Sequence, residues 1–176
     1  MNDTASQVSA IESAVTTDYG WNPGDVQVDA VSRLDRNGCM FYRASNTARL
    51  DSQPAEYVVL PDGQLVGAGG TSAATVLQAC GKNAPAEWWA QVITRFSGKV
   101  RGVVADPETT PSALRKIREA GGEYAPPTLT TDAGSTKITF YTMHYELSTP
   151  YEVKAVLSGD GALRIDTRKI VPESHK

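Results

Sequence analysis

The sequence predicts an α+β protein: two halves, each a helix plus an antiparallel meander, joined by central helices. Three observations carry that prediction. Apolar residues recur at helical spacing in four segments and alternate at period two in several others. Asn-Gly and Asp-Gly turn signals separate the alternating segments, so neighbouring strands return through tight hairpins. The order of elements then repeats, dividing the chain into a first half at 1–70, bridging helices at 71–98 and a second half at 99–176.

The elements follow in order. Asp3 or Thr4 caps a first helix to about Thr17, with Val8, Ile11, Ala14 and Val15 at helical spacing and Gly20 beyond its end. From 25 to 34 the pattern alternates, with Val26, Val28 and Ala30 on one side and Gln27 and Asp29 on the other. Arg36-Asn37-Gly38 is a turn, and 39–45 is the returning strand. Tyr57-Val58-Val59-Leu60 and Leu65-Val66 flank Pro61-Asp62-Gly63-Gln64, a strand–turn–strand unit.

Thr71 or Ser72 caps a helix to about Cys80, ended by Gly81. A second bridging helix opens at Pro85, with Trp88, Trp89, Val92, Ile93 and Phe96 along one broad stripe. Each such side chain contributes roughly 1.5–3 kcal/mol when buried, so this stripe is the expected centre of the core. Packing is the expected role of both tryptophans.

Residues 99–105 read as a short strand. Thr110-Pro111-Ser112 starts a helix carrying Leu114, Ile117 and Ala120, stopped by Gly121-Gly122. Three strands are expected after it, at 137–147, 151–158 and 162–171. Tyr141, Met143, Tyr145 and Leu147 form the apolar face of the first. Val153, Ala155 and Leu157 form that of the second, and Leu163, Ile165 and Val171 that of the third.

The halves resemble each other. Phe41-Tyr42, Tyr57-Val58-Val59-Leu60 and Asp62-Gly63-Gln64-Leu65 recur as Phe140-Tyr141, Tyr151-Glu152-Val153 and Asp160-Gly161-Ala162-Leu163. A helix laid on a meander buries its stripe against the sheet, so each copy is a sensible physical unit. The segment 112–169, and more faintly 8–67, resembles PepSY-like domains. The resemblance lies in Tyr151-Glu152-Val153-Lys154-Ala155-Val156 and the Asp160-Gly161 turn into Ala162-Leu163-Arg164-Ile165-Asp166. It implies a bacterial, extracytoplasmic, non-enzymatic module, some of whose relatives restrain proteases. Asp166-Thr167-Arg168 lacks the glycine that often closes the family's last turn. A cystatin-like or other cone-shaped α+β fold produces much the same pattern.

Composition narrows the function classes. Of 176 residues, 40% are hydrophobic and 21% charged, the makeup of an ordinary globular domain. A net charge of −3 argues against a nucleic-acid binder driven by bulk charge. No apolar run approaches the roughly eighteen residues of a membrane span. Met1-Asn2-Asp3 leads into a polar segment unlike a signal peptide. This start fits a cytoplasmic protein or an exported one whose leader has been removed, and the family resemblance favours a periplasmic or secreted setting. Cys39 and Cys80 either pair, closing a loop worth roughly 4 kcal/mol in the chain-entropy model, or stay unlinked as small buried apolar groups. Two cysteines and two histidines give no zinc spacing, and no cofactor is expected.

Few residues carry chemistry. The glycine-rich stretch at 67–72 lacks a dinucleotide or P-loop signature and reads as a connection. Arg115-Lys116-x-Arg118 reads as a solvated helix face. His144 is the one histidine in an expected element, since His175 sits at the chain end. It alternates with Thr142 and Glu146, opposite Tyr141 and Met143. With Lys154, Arg164, Asp166 and Arg168 on neighbouring strands, His144 and Glu146 are expected to form one polar face that binds a partner. The favoured reading is a non-catalytic bacterial module holding a protein or peptide, in a specific form an inhibitor or immunity-type protein. The competing reading is a small enzyme or ligand-binding domain using His144 and Asp166. A Cys–His nucleophile pair through Cys39 or Cys80 with His144 is a third arrangement.

Overall fold

A computed structural model of the chain describes residues 4–49, 51–144, 146 and 148–171. Among them the architecture is α+β, with four α-helices and two antiparallel sheets. The first sheet holds β1 (Val26–Ala30), β2 (Met40–Asn46), β3 (Ala55–Val59) and β4 (Leu65–Gly67), paired in chain order. Residues 32–34 leave the strand as a 3₁₀ turn, which drops Leu34 into the core. The β1–β2 turn has Asn37 and Gly38 at positive φ, the geometry that an Asn-Gly pair adopts at least cost.

Register decides what each face of this sheet carries. Phe41 lies opposite Val58, and Arg43 opposite Glu56, on one face. Tyr42 lies opposite Tyr57, and Met40 opposite Val59, on the other. Helix α1 (Thr4–Tyr19) covers this second face, burying Ile11 and Val15 against Tyr42, Ala44, Tyr57 and Val59. The expected Asp3 cap lies outside the described residues.

Burial pushes the Tyr57 hydroxyl well above its ordinary value, and the neighbouring Asp18 carboxylate and Tyr19 push the same way. Tyr57 donates to Asp18 Oδ2 at 3.3 Å. The fold therefore favours the neutral phenol. That contribution is intact below the unfolded value near pH 10 and is lost as pH climbs through the raised folded one. Thermal melts above pH 10 are expected to fall more steeply for wild type than for Tyr57→Phe. Parallel curves would show that Tyr57 ionisation is not linked to unfolding.

The other face of the first sheet meets α2 (Ser72–Cys80) and α3 (Ala86–Phe96). Trp88, Trp89, Val92, Ile93 and Phe96 are all buried there. Phe41 meets Trp88 and Phe96 edge-on, at ring-centroid distances of 6.0 and 5.7 Å. Trp88 Nε1 donates to Leu34 O at 2.8 Å, which satisfies the indole inside the core. Ser72 does not cap α2; its hydroxyl donates back to Gly67 O.

Cys39 and Cys80, which the sequence leaves open, form a disulfide across this layer. Asn37 Nδ2 reinforces it by donating to Cys80 O at 2.7 Å and Lys82 O at 2.9 Å. The turn before β2 is thereby tied to the end of α2.

The second sheet lies on the far side of α2 and α3. It holds β5 (Val103–Val104), β6 (Thr128–Asp132), β7 (Ser135–His144), β8 (Thr149–Leu157) and β9 (Leu163–Lys169). Strands β5 and β6 both pair with β7, and β9 is an edge. Helix α4 (Pro111–Glu119) covers the outer side, where Ala113 packs near Met143 and Ala105. The layers thus run α1, first sheet, α2–α3, second sheet, α4.

Two expectations about this sheet are corrected. Strand β6 was not foreseen, because Thr128-Leu129-Thr130-Thr131-Asp132 offers β-branched threonines in place of an apolar face. The inward face of β7 is also the reverse of that expected. Ile138 and Phe140 enter the main core, sharing their parity with Thr142 and His144. Tyr141 and Met143 point outward and are covered by α4. A strand covered on both sides shows no clean apolar–polar alternation, so its parity is easily misread. Tyr145 and Leu147 lie outside the described residues, and β7 ends at His144.

Candidate functional site

The expected polar face separates into two places. Lys154, Arg164, Asp166 and Arg168 do share the outer face of β8 and β9. Arg164 lies opposite Val156, Asp166 opposite Lys154 and Arg168 opposite Glu152. Glu152 holds the group together: Arg168 Nη2 lies 3.0 Å from its Oε2 and Lys154 Nζ 3.5 Å from its Oε1. The two cations are largely exposed, whereas the Glu152 side chain is only 12% exposed. Tyr141 lies opposite Glu152 on β7 and completes the row. Burial and the Glu152 charge push its hydroxyl up, and Arg168 pulls it back. This strip of alternating charge lies along β9, whose outer edge pairs with no other strand among the described residues.

His144 and Glu146 are elsewhere. His144 lies opposite Thr149 on the inner face, so it cannot join the strip, and Asp166 lies on the other side of the sheet. His144 and Asp166 therefore lie on opposite faces of the sheet, which separates the two residues that the enzyme reading paired. The Cys–His pair also lapses, because both thiols are consumed by the disulfide. Among the described residues, no group of three or more His, Cys, Asp or Glu side chains is placed to hold a metal ion. No helix among them is long and apolar enough to cross a membrane.

What surrounds His144 was not foreseen. It lines a cleft of about 590 Å³ with Arg43, Glu56, Arg95, Arg101 and Glu146. Arg43 and Glu56 are the cross-strand pair on the α3-facing side of the first sheet, and Arg95 reaches them from α3. Arg43 donates to Glu56 Oε1 from Nε at 3.0 Å and Nη2 at 2.8 Å. Arg95 Nη1 donates to the same oxygen at 2.6 Å. Burial pushes the Arg95 guanidinium down; Glu56 opposes this, while Arg43 and Arg33 push further down.

The far wall is set by Gly102, whose φ is +87°. A Cβ there would lie 2.1 Å from Met143 O, so only glycine lets residues 101–103 press against the end of β7. That approach brings Arg101 beside His144.

A signal for this cleft did exist in the sequence. Arg43 and Glu56 are lone charges of opposite sign within apolar strands, and Gln91 and Arg95 form an i,i+4 pair beside the tryptophan stripe. In the Arg115 cluster, Arg115 and Glu119 are loosely paired at 3.8 Å on an exposed helix face, while Lys116 donates to Ser148 O. No protein-family model matches the chain, and neither a curated protein nor a solved structure matches it.

Proposed function

We propose that the chain is a non-catalytic bacterial binding module that holds a protein or peptide partner on the outer face and free edge of β9. The observation that carries this reading is the edge position of β9 beside the charged strip of Glu152, Lys154, Arg164, Asp166 and Arg168. An edge strand offers backbone donors and acceptors to a partner strand, and the flanking charges select register and partner. The same edge is protected against indiscriminate pairing by those charges.

The compartment reading is periplasmic or secreted. Its support is the buried Cys39–Cys80 disulfide, a bond typical of oxidising compartments. The PepSY-like pattern at 151–156 and 160–166 points the same way. Restraint of a protease or toxin, as an inhibitor or immunity-type protein, is the specific form this reading takes.

An Arg164→Ala/Arg168→Ala variant tests it. Both side chains are on an exposed sheet face, and an exposed pair such as Arg168–Glu152 contributes only about 0–1 kcal/mol to stability. Stability is therefore expected to change by about 0.5 kcal/mol or less, while partner affinity falls by about 2 kcal/mol or more. Affinity captures from the source organism with wild type and variant read the second quantity. Identical partner profiles would overturn the assignment of this face.

A further inference from the structure

We propose that the cleft between the first sheet, α3 and the end of β7 is a second binding site, one that takes a carboxylate group on Arg43, Arg95 and Arg101. It stands apart from the strip on β9 and does not depend on it. Its basis is an imbalance of charge and hydrogen bonding. Two guanidiniums converge on one oxygen, Glu56 Oε1. The side chains of Arg95 and Glu56 are only 12% and 11% exposed, so the surplus positive charge sits where water screens it poorly.

Among the described residues, no hydrogen bond meets Arg43 Nη1, Arg95 Nη2 or Glu56 Oε2. Arg101 supplies a third guanidinium on the cleft wall. The planar fork of an arginine matches a carboxylate with two parallel hydrogen bonds, which makes a carboxylate the fitting anion.

Glu56 Oε2 adds a second requirement. An acceptor beside two cationic donors calls for a ligand that carries an N–H close to its carboxylate. The last residue of a peptide has both groups. The cleft also adjoins a groove of about 460 Å³, sharing Gln91, Arg95 and Val103 with it, so there is room for the preceding residues. Glu146 on the rim disfavours a ligand bearing further negative charge. A peptide carboxylate therefore comes from a free C-terminus or from a single acidic side chain.

Three probes separate these sources on the isotope-labelled full chain, followed by amide chemical shifts. They are N-acetyl-trialanine with a free carboxylate, the same peptide as its amide, and an N-acetyl-tripeptide amide with one internal glutamate. The free acid is expected to move the amides of Glu56, Thr94 and Gly102, and the amide to bind at least tenfold more weakly. Preferential binding of the glutamate peptide would support the site and assign it to side-chain carboxylates. Arg101→Ala removes an exposed cation without touching the Glu56 cluster, and is expected to weaken carboxylate binding at least fivefold. Equal affinity for all three probes, shifts confined to other surfaces, or unchanged binding by Arg101→Ala would each overturn the proposal. Arg164→Ala/Arg168→Ala is expected to bind the probes as wild type does, so failure of the strip on β9 leaves this site standing.

Discussion

Cys39→Ala/Cys80→Ala is expected to lose about 4 kcal/mol of stability, the chain-entropy value for cross-linking residues 41 apart. The effect is large because the bond closes a loop containing β2, β3, β4 and α2, and so removes many unfolded conformations. Both cysteines are buried in the main cluster, so the two alanines also leave unfilled volume there. Guanidinium melts of the variant, and of wild type with and without reductant, measure the loss. Reduced wild type should approach the variant once its disulfide opens. A loss under about 1 kcal/mol would mean that the unfolded chain is already compact around this pair.

The disulfide also shows what could be read from the sequence and what could not. Its two cysteines were evident, but pairing depends on bringing Cα atoms to 6.1 Å, which spacing alone does not determine. The element order through β4 was legible because Asn37-Gly38 and Asp62-Gly63 mark hairpins whose chemistry is local. The outer row of Lys154, Arg164, Asp166 and Arg168 was legible for a similar reason. On β8, the buried Val153 and Ala155 alternate with the charged Glu152 and Lys154, so the parity is unambiguous.

β7 was not legible in this way. Ile138 and Phe140 point to one layer of helices and Tyr141 and Met143 to another, and a sequence cannot say which layer is larger. His144 was therefore assigned to the wrong side. The cleft was missed because its parts come from β2, β3, α3 and the β5 approach, and each charge alone reads as a solvated position. Arg43 and Glu56 sit on the same face as Phe41 and Val58, so their alternation pointed toward the core all along. The general expectation that strand charges face water concealed it.

That placement makes Glu56 the most consequential charge in the molecule. Glu56→Gln is expected to cost about 3 kcal/mol, the lower end of what breaking a buried pair costs, because the cleft admits some water. The loss comes from Arg95 rather than from Glu56. With its carboxylate gone, a guanidinium only 12% exposed keeps its charge beside Arg43 and has no anion to offset it. If the penalty is one of desolvation, removing both partners should relieve it. Glu56→Leu/Arg95→Met is accordingly expected to unfold within about 1 kcal/mol of wild type, since apolar replacements of similar volume need no counter-charge. The order of the three chemical melts decides the matter. A single variant as stable as wild type would show that the cluster is effectively solvated. A double variant worse than the single would show that the arginine contributes packing through its stem rather than unpaired charge. Stability and binding should then move in opposite directions. Glu56→Gln removes the carboxylate that Arg43 and Arg95 both bind and keeps an amide oxygen as acceptor for the ligand N–H, so below its melting temperature it should bind the free-acid peptide at least as tightly as wild type. A variant that loses both stability and carboxylate affinity would mean that Glu56 chiefly positions the two arginines.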